Sequence, residues 1–477
     1  MPPGSAAKTI ARNTAFLLLS EVVSKALSLI LVIAMARFLG DSEFGKFSFA
    51  VAFMGIFLIF TDFGVSTLII RDVAKDKAMA RAYLNNALGI KLALGLAAFA
   101  AAMTAIVLMG AQQDVMLVVL LSGIYLMINE LTQPFRSVFN AFERLEFHSI
   151  MAIVERIVAL GLGLWLLFKG YGLVPFVSVF IFSYFVSLVM AMAIAWSGFV
   201  RFRPEFDFRF WKILLRKSLP FWVTSVFMLL YHRIDTVMLS LMKTFDVVGW
   251  YNAAFRITDA LNFIPFIMVG VVFPAMSRLH ASSRENLGLL YTKAAYYLFM
   301  IGLPIAVGIT LLADRIILFV YSEQFLSAAA VLRILIWAEL FVFMNFLAGY
   351  LLNAIDKPKL FTFSTGVTVI INIVLNYVLI LKFSMVGAAI ATAITHGLNF
   401  VLLSYFASRN NYAINWPKTI WKPALASLVM AGVIYAMLGI HLFITIPAAG
   451  AAYLAVIVLL KGLTKQELEV IKGIRNR

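Results

Sequence analysis

Two charged side chains stand close together inside a run of otherwise apolar residues. The stretch LLYHRIDTVMLSLM, residues 229–242, carries Arg233 and Asp235. An ionised side chain at the centre of a bilayer costs at least about 2.5–3.5 kcal/mol, so such residues usually mark a substrate or ion pathway. Residues two apart on a helix point roughly 200° away from each other, so these two cannot form a local ion pair. We therefore expect this helix to serve two polar functions on different faces.

Other apolar runs also carry polar side chains at helical spacing. One run holds a stripe at steps of four, three and three positions: Asn252, Arg256, Asp259 and Asn262. Near the N-terminus, Lys25 follows Glu21 by one turn. Two late runs hold amide and hydroxyl side chains on one face each: Thr365, Thr368, Asn372 and Asn376, then Thr392, His396 and Asn399. Because lipid cannot satisfy these groups, the stripes must face other helices or a wet cavity.

Some intramembrane polar residues have a purely structural interpretation. Isolated Ser, Thr and Asn side chains often join helices for about 0.6 kcal/mol each. Lys91 and Arg333 stand near the ends of their runs, so we expect their charged ends to reach the interface. Glu155 and Arg156 fit a buried structural pair and a functional pair equally well.

The elements that position these residues are transmembrane helices. The 477 residues are 63% hydrophobic and 13% charged, against about 45–50% and 25% in soluble domains. We count fourteen apolar runs of spanning length: about 12–38, 46–70, 84–109, 114–136, 146–168, 171–198, 218–242, 249–277, 291–312, 327–353, 359–381, 385–408, 419–439 and 441–460. Cysteine is absent, which excludes disulfides and thiol chemistry.

The basic residues predict the orientation of these helices. The N-terminus, the loops after even-numbered helices and the C-terminus hold 27 of the 39 Lys and Arg residues, and the loops after odd-numbered helices hold six. Both termini are therefore predicted to be cytoplasmic, in a multi-pass protein of the cell membrane. A basic cytoplasmic face held against anionic lipid explains the net charge of +16 without a nucleic-acid partner.

The chain contains an internal repeat. FLGDSEFGKFSFA (38–50) resembles TFDVVGWYNAA (244–254), with Gly45 matching Gly249, and Asn140 matches Asn353. Parallel repeats of this kind place a substrate site at their interface near the midplane. We predict an N-lobe of helices 1–6 (1–200), an interfacial cytoplasmic linker (201–217), a C-lobe of helices 7–12 (218–410), and helices 13–14 with a tail (411–477).

Five segments carry a family resemblance: ARFLGDSEFGKFSFA (36–50), TDFGVSTLIIRD (61–72), HRIDTVMLS (232–240), VGWYNAAFRI (248–257) and LLNAIDKPK (351–359). Together they resemble the polysaccharide-transporter branch of the multidrug/oligosaccharidyl-lipid/polysaccharide (MOP) exporter superfamily. That branch contains the Wzx-type oligosaccharide flippases and relatives of the lipid II flippases. The resemblance covers roughly residues 9–410.

The resemblance implies a V-shaped pair of lobes around a central cavity between helices 1, 2, 7 and 8, which opens alternately to each side. It also implies polyprenyl-diphosphate-linked sugars as substrates, whose pyrophosphate needs cationic partners. Lys25 stands twelve residues before Arg37, as a basic residue does in lipid II flippases, and Arg256 matches cavity arginines of helix 8.

Cation-coupled relatives bind sodium between helices 7, 11 and 12. The positions that match this site are Asp235, Asn372, Asn376 and Thr392. Some relatives have a carboxylate where Asn376 stands, so the site here would be one negative charge poorer.

These observations predict an all-α membrane antiporter and not an enzyme. It would move polyprenyl-(pyro)phosphate-linked oligosaccharide from the cytoplasmic to the outer leaflet by cation-coupled alternating access, with Na⁺ or H⁺ as coupling ion and no other cofactor. Lys25, Arg233 and Arg256 would meet the pyrophosphate, while Asn252 and Asp259 orient Arg256 and Asn262 extends the same stripe. We expect a monomer that works beside glycan-assembly enzymes.

Other functions fit parts of the sequence. A lipid II-type exporter or a small-molecule (multidrug) exporter could use the same fold, but a cavity for cationic drugs should be acidic. A membrane glycosyltransferase or polymerase usually needs long external loops with acidic metal motifs. Here FLGDSE (38–43) is the one acidic external loop of note.

Overall fold

The chain folds almost entirely into helices. The structure is a computed structural model that describes residues 3–462, with side chains from Ser20 onward apart from Glu21. The predicted cytoplasmic tail after residue 462 lies outside these residues. The helices are α1 (Pro3–Leu39), α2 (Asp41–Asp62), α3 (Val65–Lys75), α4 (Ala80–Leu108), α5 (Gln113–Ala141), α6 (Leu145–Phe168), α7 (Leu173–Gly198), α8 (Phe208–Met242), α9 (Phe245–Ala260), α10 (Phe263–Ser282), α11 (Arg284–Val320), α12 (Ala328–Ala354), α13 (Pro358–Arg409), α14 (Trp416–Ala436) and α15 (Leu442–Leu459).

The fourteen predicted spans are present. Thirteen helical stretches among the described residues are long and apolar enough to cross a membrane. One of them, α13, has 52 residues, which at about 1.5 Å per residue is more than twice the roughly 30 Å of a bilayer core. Ser384 interrupts α13 with non-helical angles, φ 54° and ψ −135°. The two halves of α13 are therefore predicted helices 11 and 12.

Two spans that the sequence predicted as continuous helices are broken near their middle. α2 and α3 form one span, interrupted where Phe63 (φ 47°) and Gly64 (φ 76°) adopt left-handed angles. A side chain on Gly64 would lie 2.7 Å from the carbonyl oxygen of Ser218, so both the angle and the close contact with α8 favour glycine. α9 and α10 form another span, with a break at residues 261–262.

The first compact unit is Met1–Asn252. Within it, α5 is central and packs against α2, α3, α4 and α7, while α1 packs against α6 and α8 packs against α2 and α3. Buried aliphatic and aromatic side chains of α3, α4, α5 and α7 form a hydrophobic core, with Phe139 and Tyr83 among them.

The linker at residues 201–217 is fastened to this first unit. Asn85 of α4 accepts the backbone N–H of Arg203 (2.9 Å) and donates to the Glu205 carboxylate (2.7 Å). The Asn86 side chain donates to the other oxygen of Glu205 (3.2 Å) and accepts from the Trp211 indole (3.1 Å). Two aromatic side chains of the linker, Phe206 and Phe208, are exposed, as an interfacial segment requires.

The second compact unit is Ala253–Arg477. Here α12 is the most buried helix and packs against α10, α11 and α13. α14 packs against α11 and α15, forming a smaller core around Met430 and Tyr453. The lobe boundaries expected from the internal repeat stay a prediction, because units defined by packing and units defined by repetition need not coincide.

Candidate functional site

Asp235 is a buried carboxylate held by the neighbouring helix. Only 5% of its surface is exposed, and it accepts a 2.7 Å hydrogen bond from the Tyr251 hydroxyl of α9. Thr236 donates to the Asn252 side-chain oxygen at 3.2 Å, and the Asn252 amide donates to the Val248 carbonyl. This face of α8 is thus turned toward α9. Arg233 is half-buried.

The predicted stripe around Arg256 does not form a continuous helical surface. Asp259 accepts a hydrogen bond from Asn262 (3.2 Å), and Asn262 lies beyond the end of α9. Arg256 is half-buried and makes no hydrogen bond or ion pair with the described residues. Asp259 and Asn252 are therefore bonded to other partners in this structure, and the orienting role expected for them rests on the sequence alone.

Lys25 lies on α1 with an exposed side chain. Among residues whose side chains are described, it has neither an ion pair nor a hydrogen bond. Lys25 is fourteen residues before the end of α1, and Arg256 is eleven residues after the start of α9. At about 1.5 Å per residue, these positions lie roughly 21 and 16 Å from the helix ends. Both cations are therefore well inside their spans.

Three of the predicted cation ligands lie in α13 and are buried. Asn376 donates to the Asn372 side-chain oxygen at 2.9 Å, and Asn372 donates to the Thr395 hydroxyl at 3.2 Å. The Thr392 hydroxyl donates to the Ala388 carbonyl of its own helix. The structure brings Asn372 and Asn376 together and places Thr395 beside them. The one sequence signal for Thr395 is its position one turn after Thr392. Amide and hydroxyl oxygens suit a hard cation such as sodium.

Two charged clusters in the first unit contain ion pairs between helices that the sequence did not predict. Lys91 does not reach the interface: it is fully buried between Asp62 (2.6 Å) and Glu130 (2.7 Å). Both acids stand in apolar runs of the sequence, and this is the signal that could have indicated a buried partner for Lys91.

Arg333 of the second unit agrees better with the expectation that its charged end reaches the interface, since it is partly exposed and pairs with Asp314.

The second cluster contains Glu155, whose role the sequence left open. Its carboxylate pairs with Arg136 of α5 at 2.8 Å and lies 3.5 Å from Arg156. Arg136 also donates to Ser187, and Arg156 donates to Tyr184. Arg136 is one of the 27 basic residues that were counted on the cytoplasmic side from the sequence. In the structure it lies inside the helix bundle and is 8% exposed.

The fold and these polar helices define a multi-pass membrane transporter of the MOP type. The chain belongs to the family described as "Polysaccharide biosynthesis protein", which matches residues 10–280. The MatE family also matches residues 220–378. Both matches confirm the resemblance seen in the sequence motifs.

Relatives match the chain over most of its length. A "Probable low-salt glycan biosynthesis flippase Agl15" of Haloferax volcanii is 25% identical over 89% of both chains. "Lipopolysaccharide biosynthesis protein WzxC" of Escherichia coli is 23% identical, over 88% of this chain and 85% of its own. The relatives' names describe flippases and glycan-biosynthesis proteins, which agrees with a transporter and not with an enzyme.

Solved structures agree on the fold. A lipid II flippase MurJ in an inward closed conformation superposes with a TM-score of 0.76 at 17% identity, covering 93% of this chain and 98% of its own. An inward-facing multidrug resistance MATE transporter of the MOP superfamily gives a TM-score of 0.62 at 18% identity, covering 81% of this chain and 95% of its own. The predicted fold class is thereby confirmed.

Proposed function

We propose that this protein is a flippase. It moves a polyprenyl-(pyro)phosphate-linked oligosaccharide from the cytoplasmic to the outer leaflet by cation-coupled alternating access. The relative named as a flippase, which matches almost the whole chain, supports the class of activity. The observation that carries the substrate class is that Lys25 and Arg256 lie well inside their spans without a described carboxylate partner.

Such cations need an anion during the transport cycle. An unpaired charge in a low-dielectric environment is costly, and a pyrophosphate group supplies the missing counter-charge. Arg256 is suited to bidentate contacts with phosphate oxygens, whereas Lys25 acts as a point charge. Arg233 of α8 is the third cation that we propose to meet the pyrophosphate. An exporter of cationic drugs would instead require acidic side chains at these positions.

The finer assignments follow from the same proposal. Asp235, together with Asn372, Asn376 and Thr392, holds the coupling cation, for which oxygen ligands favour sodium. Both termini are cytoplasmic, in the cell membrane, as the distribution of basic residues predicts. The protein works as a monomer beside the enzymes that assemble the glycan.

The test is translocation of a fluorescent polyprenyl-diphosphate oligosaccharide in proteoliposomes. We expect Arg256→Lys to lose part of the activity and Arg256→Ala nearly all of it, at unchanged protein abundance. Arg333→Ala is the matched control, because this arginine of the second unit already has a carboxylate partner. Adding Lys25→Ala to Arg256→Ala should cost less than the sum of the two single effects if both residues hold one group.

One result would contradict the phosphate role of Arg256. If Arg256 served only to neutralise Asp259, the double variant Arg256→Gln/Asp259→Asn would restore transport. Asp259 is hydrogen-bonded to Asn262 and not to Arg256, so we expect the double variant to stay inactive.

A further inference from the structure

A fully buried lysine in the first unit is shared by two carboxylates from neighbouring helices. The Lys91 ammonium of α4 lies 2.6 Å from Asp62 at the end of α2 and 2.7 Å from Glu130 of α5. One positive and two negative groups leave this triad with one excess negative charge. Lys91 stands eleven residues after the start of α4, and Glu130 eleven before the end of α5. The triad therefore lies about 16 Å along each helix, inside the apolar span.

The two carboxylates are not equivalent. Asp62 also accepts the backbone N–H groups of Gly64 (3.1 Å) and Ser66 (3.3 Å), together with the Ser66 hydroxyl. It therefore caps the start of α3, where hydrogen bonds and the helix dipole favour the ionised form.

Glu130 has a single hydrogen bond in the described part of the chain, from Lys91. Its side chain is 23% exposed, whereas Lys91 is completely covered. Since a carboxylate open to hydrocarbon would be very costly, this surface of Glu130 must meet water during the transport cycle. Asp62 is exposed to a similar degree, 25% of its side chain, so the two carboxylates differ in their hydrogen bonds and not in their access to water.

A second polar group next to the triad also lacks a partner. The Thr61 hydroxyl is fully buried and has no hydrogen bond among the described residues. It lies 3.7 Å from the place that a side chain on Gly95 would occupy, one turn beyond Lys91 on α4. A hydroxyl here can accept or donate a hydrogen bond beside the triad.

Several other charged and titratable groups on the surrounding helices have partners of their own. Near the ends of α3 and α4, Asp72 binds Arg71 and Tyr83. At the opposite end of α2, Lys46 binds Glu43 and Asp114. A separate cluster lies on α5, α6 and α7: Arg136, Glu155, Arg156 and Tyr184. The Lys46 set also has one excess negative charge, but it lies at the helix ends. The cluster around Glu155 has one excess positive charge. Of these sets, the triad is therefore the one whose excess negative charge lies inside the apolar spans.

The triad is joined to the break between α2 and α3. Asp62 is the last residue of α2, and the next residue, Phe63, stacks on Trp222 of α8 with ring centres 4.4 Å apart. The Trp222 indole donates to the Ile59 carbonyl at 3.1 Å. These two contacts join the break beside the triad to α8, the helix that carries Arg233 and Asp235.

We propose that Glu130 is a proton-binding site that couples transport to a pH gradient. A proton from water on one side adds to the carboxylate and forms the neutral acid, while Lys91 keeps its ion pair with Asp62. The same proton leaves to water on the other side later in the cycle. This inference rests on the proposed flippase function and leaves the Asp235 set to bind sodium.

The experiment compares two driving forces on the full chain in proteoliposomes. For one proton per cycle, a pH difference of one unit can sustain at most about a tenfold ratio of lipid between the leaflets. We expect Glu130→Gln to lose this response, while it keeps the response to a sodium gradient and its lipid exchange at equal pH within about twofold. Glu43→Gln is the control, since this acid pairs with Lys46 away from the triad.

Further variants separate proton binding from folding. Lys91→Met removes the cation between the acids, so the half-point of the pH profile should rise by one unit or more. The double variant Lys91→Met/Glu130→Gln leaves only the capped Asp62 and should be folded and insensitive to pH. In lipid-free detergent, the infrared band of the protonated carboxyl should appear on acidification and be missing in Glu130→Gln.

The outcomes are distinct for the two proposals. If Glu130→Gln keeps the wild-type pH response and the wild-type infrared band, Glu130 is not the proton site. If the wild type shows the band but moves no lipid-linked oligosaccharide under any gradient, the flippase function fails while the proton site stands.

Discussion

The repeat-related glycines Gly45 and Gly249 meet each other in the first unit. A side chain on Gly45 of α2 would lie 1.8 Å from the Phe245 carbonyl oxygen and 3.0 Å from the Gly249 backbone nitrogen. One on Gly249 of α9 would lie 2.1 Å from the Asp41 carbonyl oxygen. The Trp250 indole holds the same contact by donating to the Asp41 carboxylate at 2.9 Å. We predict that Gly45→Ala forces these two helix ends apart.

The size of the effect follows from the geometry. The clashing atoms belong to the backbone, so no rotamer change can relieve them. Non-bonded heavy atoms prefer about 3.5 Å, so the helices must separate by more than about 1 Å. Overpacking of this kind typically costs about 1–3 kcal/mol, which changes an equilibrium between closed and open forms of the contact by about 5–150-fold. The closed form should therefore become the minor one if the two forms are close in free energy.

Spin labels can measure this shift, because the chain has no native cysteine. Cysteines at the exposed positions Ser42 and Thr244 place one label beside each helix end. In the Gly45→Ala protein, we expect the distance distribution to move to longer values and transport to fall in proportion. Gly55→Ala on the same helix is the control, since its nearest neighbour would be a Leu229 methyl group at 3.9 Å.

Two results would refute this reasoning. An unchanged distance distribution in Gly45→Ala would mean that the helices absorb the methyl group without separating. A longer distance with normal transport would mean that closure of this contact is not part of the transport cycle.

Three further predictions concern other parts of the molecule. A cysteine at Lys382 should react with an impermeant maleimide in intact cells and one at Asn411 only after lysis; the reverse pattern would invert the proposed topology. Asp235→Asn should abolish the response to a sodium gradient and leave lipid binding largely intact, and a normal sodium response would remove Asp235 from the coupling site. Asn85→Ala leaves the Arg203 backbone N–H and the Glu205 carboxylate without their hydrogen bonds to Asn85, and should lower the free energy of unfolding by about 1–3 kcal/mol. The measurement is the melting temperature in detergent, which should fall; an unchanged melting temperature would show that the linker is held by other contacts.

The sequence alone determined the features that depend on neighbouring residues in the chain. Fourteen spans followed from the lengths of apolar runs, because the hydrocarbon thickness sets how many residues a helix needs. The family followed from short motifs at Gly45, Asp235 and Arg256, which the match over residues 10–280 confirms. The buried amides Asn372 and Asn376 followed from helical spacing, and they do contact each other.

Only the tertiary structure decided which distant residues meet. Lys91 is 39 positions from Glu130, so no local pattern indicated that it would be buried as an ion-pair partner and not extended to the interface. The breaks after Asp62 and Ala260 were not predicted, because both spans have the length and mean hydropathy of continuous transmembrane helices. Packing against α8 stabilises the first break through Trp222. Contacts across helices depend on how the chain packs in three dimensions, and spacing along one helix carries no information about them.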